Sequence, residues 1–210
     1  MKTSHYYFLV VFFSFILTIT IKYLLNLDEL TYSSLSEKLT KEQIENYLEL
    51  QDKWIWIGYL ILPIIILLRS AFVSLCLNLG YLFYDITNEI KFKQFFRIAV
   101  IGEFVLLTAG CFKLIYFYFI KTDFSLEQLQ QFQPLSYTNF LDISKLKPWL
   151  VYPLQTINLF EIGYFFVLVY GLHKLLQNKY MKSFEIVAVS YGTGLIIWMG
   201  LIMFLILNMS

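Results

Sequence analysis

Five long apolar stretches, at roughly residues 5–25, 54–84, 95–120, 149–174 and 184–208, alternate with polar segments along the chain. Each is long enough to cross a hydrocarbon core, which takes about 20 apolar residues. The pattern predicts an all-α polytopic membrane protein with five transmembrane helices. The polar segments carry a pattern of their own, since TKEQIENY at 40–47 is echoed by SLEQLQQF at 125–132. In each, a hydroxyl residue, Thr40 or Ser125, stands three positions before a glutamine, Gln43 or Gln128, which is the spacing of a capping box. Behind the cap, Ile44 and Leu129, then Tyr47 and Phe132, fall three apart on one helical face. The expectation is two short amphipathic interfacial helices, over 40–50 and 125–133. Their residues Ile44, Tyr47, Leu129 and Phe132 would make contacts at the outer membrane surface, with lipid or a partner.

Each capped helix precedes a helical hairpin, which divides the chain into an N-terminal signal-anchor helix (1–25) and two units (26–120 and 121–210). Further echoes join the units: Trp54 with Trp149, Pro63 with Pro153, and KQFFRIAV at 93–100 with KSFEIVAV at 182–189. Copies entering the membrane from the same side imply a parallel internal repeat; convergent interfacial composition is the alternative. The second span is longer than a crossing needs, and Pro63 with Arg69 predicts a kink or a tilted passage. Arg and Lys set the orientation through the short loops. Lys91, Lys93 and Arg97 follow the second span and Lys174, Lys179 and Lys182 the fourth, so these loops are expected in the cytoplasm, with Lys2 beside them. The N-terminus is then cytoplasmic and the C-terminus outside. The reversed orientation stays open, because long loops carry little topological information.

Composition narrows the class. Hydrophobic residues make up 59% of the chain and charged ones 15%, a balance outside the range of ordinary soluble domains. A net charge of +1 gives no nucleic-acid footprint. The partners expected are the lipid bilayer and other membrane subunits or a second copy. Cys76 and Cys111 sit in apolar runs without ligand spacing, so no disulfide framework, metal site or cofactor site is expected. HExxH, GxSxG and P-loop patterns are missing, and the two histidines are far apart, so an enzyme is not expected.

Charges within apolar spans are the remaining candidates for chemistry, because a central charge costs about 2.5–3.5 kcal/mol to insert. At a rise of about 1.5 Å per residue, Glu161 lies roughly 18 Å beyond Trp149 and Glu103 roughly 15 Å beyond Lys93, while Arg69 falls near the same level. Arg69 can pair with either carboxylate, leaving the other to protonate or bind a cation. A structural lock and an ion-handling centre are both compatible with this cluster. Asn158, one turn from Glu161, is expected to hydrogen-bond across helices. Lys22, Lys113 and His173 lie nearer span ends and carry no expected chemistry, while GTG at 192–194 and Gly200 offer surfaces for close packing.

The second unit reads PLSYTNFLDISKLKPWLVYPLQTINLFEIGYFFVLVYGLHKLL and, after a Lys-rich turn, KSFEIVAVSYGTGLIIW. Over residues 130–205 it resembles the carboxy-terminal part of the Yip1-like membrane proteins. The resemblance rests on Pro134, Leu135 and Ser136, on Asn158, Phe160 and Glu161 of the N-x-F-E run, on Gly171, and on the short basic turn before the last helix. It implies five spans, a cytoplasmic N-terminus and a non-enzymatic role; eukaryotic members partner small GTPases in vesicle trafficking. A long cytoplasmic N-terminal segment is lacking here, so GTPase binding is not carried over. The Phe-, Tyr-, Ile-, Lys- and Asn-rich composition suggests an AT-rich bacterial genome, hence the bacterial inner membrane. The expected function is a structural or accessory component of an inner-membrane complex. The alternative is a small oligomeric transporter or channel using Arg69, Glu103 and Glu161.

Overall fold

The computed structural model describes residues 3–36, 38–84 and 90–209. The chain is all-helical: α1 (Thr3–Leu24), α2 (Leu27–Ser36), α3 (Lys41–Phe83), α4 (Phe92–Ile115, ending in a π turn over Tyr116–Ile120), α5 (Leu126–Gln131), α6 (Pro148–Thr156), α7 (Leu159–Leu176) and α8 (Tyr180–Met209). Short 3-10 turns at Tyr137–Phe140 and Ile143–Lys145 link α5 to α6. Helices α1, α3, α4 with its π turn, α7 and α8 are long and apolar enough to cross a bilayer.

Four of these form a ring in which α3 packs on α4 and α8, and α7 packs on α8 and α4; α1 lies outside the ring against α4. Exchanging the hairpins α3–α4 and α7–α8 leaves that pattern of neighbours unchanged. The two seams between hairpins are built alike, with one glycine from each helix. At the α4–α7 seam a Cβ on Gly102 would stand 2.5 Å from the Tyr164 ring, and one on Gly171 would stand 2.6 Å from Ile98. At the α3–α8 seam the same construction puts Gly80 against Ser190 and Gly194 against Cys76. Small residues let apolar helices approach closely where lipid would otherwise compete equally well for their side chains. Gly192 and Gly200, by contrast, face open space. Phe95, Leu77, Leu168, Leu172 and Ile186 fill the core between the seams.

The capped segment at 40–50 is not a separate helix. Thr40 N–H donates to Gln43 Oε1 at 3.0 Å and Gln43 N–H donates to Thr40 Oγ1 at 3.5 Å, so the box forms at the expected residues. No breaker intervenes between it and the apolar run, however, and α3 continues for 43 residues with Pro63 inside it. At about 1.5 Å per residue α3 is roughly 64 Å long, twice a hydrocarbon core of about 30 Å. Its first four turns, through Trp54, form a stalk that carries the capping box. The second box also forms, with Gln128 N–H donating to Ser125 Oγ at 3.2 Å, but α5 is six residues long and ends there.

The outer faces assigned to these two helices turn inward. Ile44 and Leu129 are buried, and Leu129 joins Leu25 and Phe117 in a small core at the stalk end of the bundle. Phe132 stacks on Tyr116 with ring centroids 4.4 Å apart, and Phe124 packs on Phe117 at 4.5 Å. Of the four predicted contact residues Tyr47 alone is exposed, at 49%. Apolar faces of short helices find more contact on the chain's own aromatic side chains than at an open surface. Lys22 likewise has a partner after all: its ammonium reaches Asp52 at 3.0 Å and Asp28 at 3.5 Å, tying the end of α1 to α2 and to the stalk.

Candidate functional site at the polar centre of the bundle

Arg69 of α3 and Glu103 of α4 meet half-way along the ring. The Arg69 Nε donates to Glu103 Oε1 at 3.0 Å and its Nη2 donates to Oε2, while Ser70 Oγ donates to Oε1 at 3.4 Å. This is a bidentate fork, the geometry in which guanidinium and carboxylate bind most strongly. The Glu103 side chain is 1% exposed and that of Arg69 47%, so the carboxylate is the sealed member of the pair. The open side of Arg69 faces a cleft of about 210 Å³ between α1, α3 and α4, lined also by Ser14 and Thr18.

Glu161, the second carboxylate, takes a different partner. It stands in the first turn of α7 and accepts a hydrogen bond from the Tyr191 hydroxyl of α8. Tyr164, one turn further along α7, packs its ring on Tyr191 at 5.6 Å and on the bare backbone of Gly102, next to Glu103. Its buried hydroxyl has no hydrogen-bond partner among the described residues. Arg69, Glu103 and Glu161 are close enough for their charges to act on one another. The polar centre thus holds two locked carboxylates with an unpartnered phenol between them.

The predicted fourth span is interrupted beside Glu161, with α6 ending at Thr156 and α7 starting at Leu159. Asn158 does not reach across to another helix. Its Oδ1 caps α7 by accepting the Glu161 N–H at 2.8 Å, and its amide donates to Gln155 O at 2.9 Å and Thr156 O at 3.2 Å. An interruption leaves backbone groups to be paired elsewhere. The loop after α5 supplies them: Tyr137 N–H donates to Ile157 O at 3.1 Å and Leu159 N–H donates to Leu135 O at 3.2 Å, an antiparallel bridge between Ser136 and Asn158. Leu135 holds φ at +51° to present this edge, an unusual conformation for a side chain branched at Cγ. Ser136 is buried, and its hydroxyl donates to Leu154 O at 3.2 Å and accepts the Thr138 N–H at 3.3 Å. On the far side, Trp198 Nε1 donates to the Tyr152 hydroxyl at 2.8 Å, bracing α6 against α8.

The residues that carried the Yip1-like resemblance, Leu135 and Ser136 on one side and Asn158 and Glu161 on the other, therefore form one structural unit. Among known proteins no family model, no curated protein and no solved structure matches the chain.

Of the predicted cluster, the fold brings Arg69, Glu103 and Glu161 together and puts Asn158 at the end of the helix that carries Glu161. Ser70, Ser136, Tyr164 and Tyr191 were not singled out from the sequence. A signal for the break was present in Asn158-Leu-Phe-Glu161, which has the spacing already recognised at Thr40 and Ser125.

Proposed function

We propose that the chain is a non-enzymatic integral membrane protein of the bacterial inner membrane, a structural or accessory component of a larger complex, Yip1-like in form. In this reading the five long apolar helices span the bilayer. The end carrying Lys91, Lys93, Lys174, Lys179 and Lys182 faces the cytoplasm, and the stalk of α3 stands outside. The N-terminus is cytoplasmic and the C-terminus external.

The observation that carries the reading is an exposed stripe on the stalk. Tyr47, Leu50 and Trp54 recur at three and four residues and are each about half exposed, although Ile44, one turn before Tyr47, is buried. Tyr47 lies 36 residues from Phe83, hence roughly 54 Å along the helix, whereas a bilayer with its headgroups measures about 40–45 Å. By this length Trp54 reaches the headgroups, while Tyr47 and Leu50 stand beyond them with no lipid to cover them and suit another membrane subunit or a second copy. The satisfied pairs in the polar centre support the same reading, since Arg69–Glu103 and Tyr191–Glu161 join helices within the chain.

A photo-crosslinking amino acid at position 47 or 50 in living cells should give a protein adduct of discrete mass, and the same probe at Leu68 on the lipid-facing run should not. A small oligomeric transporter is the second reading, favoured by the interrupted helix beside Glu161, since transporters place binding groups at such interruptions. Under it, an adduct at positions 47 and 50 would have the mass of a second copy, and Glu161→Gln would insert normally yet lose proton or cation flux in proteoliposomes.

A further inference from the structure

A groove between the start of α4 and the end of α7 pairs two cations with an apolar trough. Its volume is about 450 Å³, inside the ~300–1,000 Å³ range of small-molecule sites. Arg97 and Lys174 stand on either side of its mouth, with Gln94 beside them, and no acidic side chain among the described residues lines it. Its walls are Ile101, Val167 and Leu175, and Gly171 lets α7 settle onto Ile98 at its floor. From Gln94 to Ile101 on one helix, and from Lys174 back to Val167 on the other, the trough runs roughly 10 Å inward from the basic end.

Among the described residues neither Arg97 nor Lys174 has a carboxylate within ion-pair distance, although Lys22, Lys41, Arg69 and Lys145 each do. Instead the Arg97 guanidinium lies 5.3 Å from the Tyr6 ring and the Lys174 ammonium 4.6 Å from the Tyr170 ring. Ring faces orient a cation without neutralising it. A paired cation mouth over a narrow apolar trough complements a molecule with a phosphate at one end and a hydrocarbon chain at the other.

We propose that this groove binds one anionic phospholipid, with its phosphate between Arg97 and Lys174 and an acyl chain between Ile101 and Val167. The site rests on the reading of the chain as membrane-embedded, because a phospholipid of one leaflet can then enter sideways with its headgroup at the level of the loops. Basic pockets between transmembrane helices recognise lipid headgroups in the same way.

The test uses the detergent-solubilised full chain in native mass spectrometry, with phosphatidylglycerol, phosphatidylcholine or glycerol 3-phosphate added in turn. Phosphatidylglycerol should stay bound where phosphatidylcholine is lost, and glycerol 3-phosphate alone should not bind. Arg97→Gln with Lys174→Gln should weaken phosphatidylglycerol roughly thirtyfold, the amount expected for two cations facing an anionic lipid. Lys179→Gln with Lys182→Gln, an equal change of charge outside the groove, should leave it intact. Ile101→Trp, which fills the trough and keeps both cations, should also weaken binding. Equal retention of the two phospholipids by the wild-type chain, equal loss in both double variants, or binding of glycerol 3-phosphate as tight as that of the lipid would each overturn the site. Extraction of native membranes with alkaline carbonate separates the two failures: a chain released into solution overturns the membrane reading as well, and a retained chain without lipid preference overturns the groove alone.

Discussion

Arg69 and Glu103 depend on each other unequally, because Glu103 is the one with no access to solvent. Arg69→Leu leaves a buried carboxylate without its counter-charge, at a cost of about 3–5 kcal/mol, whereas removing both members is often tolerated. In detergent, thermal unfolding should show a large loss for Arg69→Leu and recovery of most of it in Arg69→Leu with Glu103→Gln. Glu161→Gln in place of Glu103→Gln should not rescue, and equal rescue by the two amides would contradict the geometry. Tyr191→Phe should cost about 1–3 kcal/mol by stripping Glu161 of its donor. Adding Glu161→Gln to Tyr191→Phe should return part of it, as read by the same melts. The level of the three charges along the bundle was legible from spacing alone. Which carboxylate Arg69 meets was not, because rise along a helix says nothing of the direction a side chain takes around it. Tyr191 is one tyrosine of 16 and has no local signature.

At the scale of elements, the interruption before α7 and the seams between hairpins decide the fold. Asn158→Ala removes the cap of α7 and should destabilise by about 1 kcal/mol, while Asn158→Asp, which also accepts the Glu161 N–H, should lose less. Gly102→Ala drives a methyl into the Tyr164 ring, and overpacking of this kind costs about 1–3 kcal/mol. The companion Gly192→Ala, with open space in front of it, should show only the helix-propensity gain of up to about 1 kcal/mol, so the difference between the two variants measures the seam. The caps at Thr40 and Ser125 were legible because they are local, three-residue patterns. Where a helix goes after its cap depends on residues further along the chain: the stalk fused with its span since nothing stops it, and α5 ended where Phe132 turned to stack on Tyr116. The buried faces of Ile44 and Leu129 were misread as outward because an amphipathic stripe names an apolar neighbour without saying whether it is lipid or protein.

For the whole molecule, the proposed orientation makes a sharp prediction for single cysteines placed in a background with Cys76 and Cys111 replaced by Ala. A membrane-impermeant thiol reagent applied to cells with a permeabilised outer envelope and an intact inner membrane should label positions 46 and 139 and miss 91 and 179, all four of them exposed on the folded chain. The opposite pattern inverts the molecule. Each of the two seams between hairpins takes one glycine from each helix, and the second half breaks its entry helix where the first extends it. That contrast gives α3 a mechanical character. Arg69 and Tyr47 sit on one continuous helix, 22 residues and roughly 33 Å apart with Pro63 between them, so a tilt of about 10° at the polar centre, if carried past Pro63, would sweep the tip through about 6 Å. A helix clamped in the ring by Glu103 and moored near its far end by Lys22 through Asp52 is a lever with two fastenings, and Pro63, between them, is the point at which it can bend.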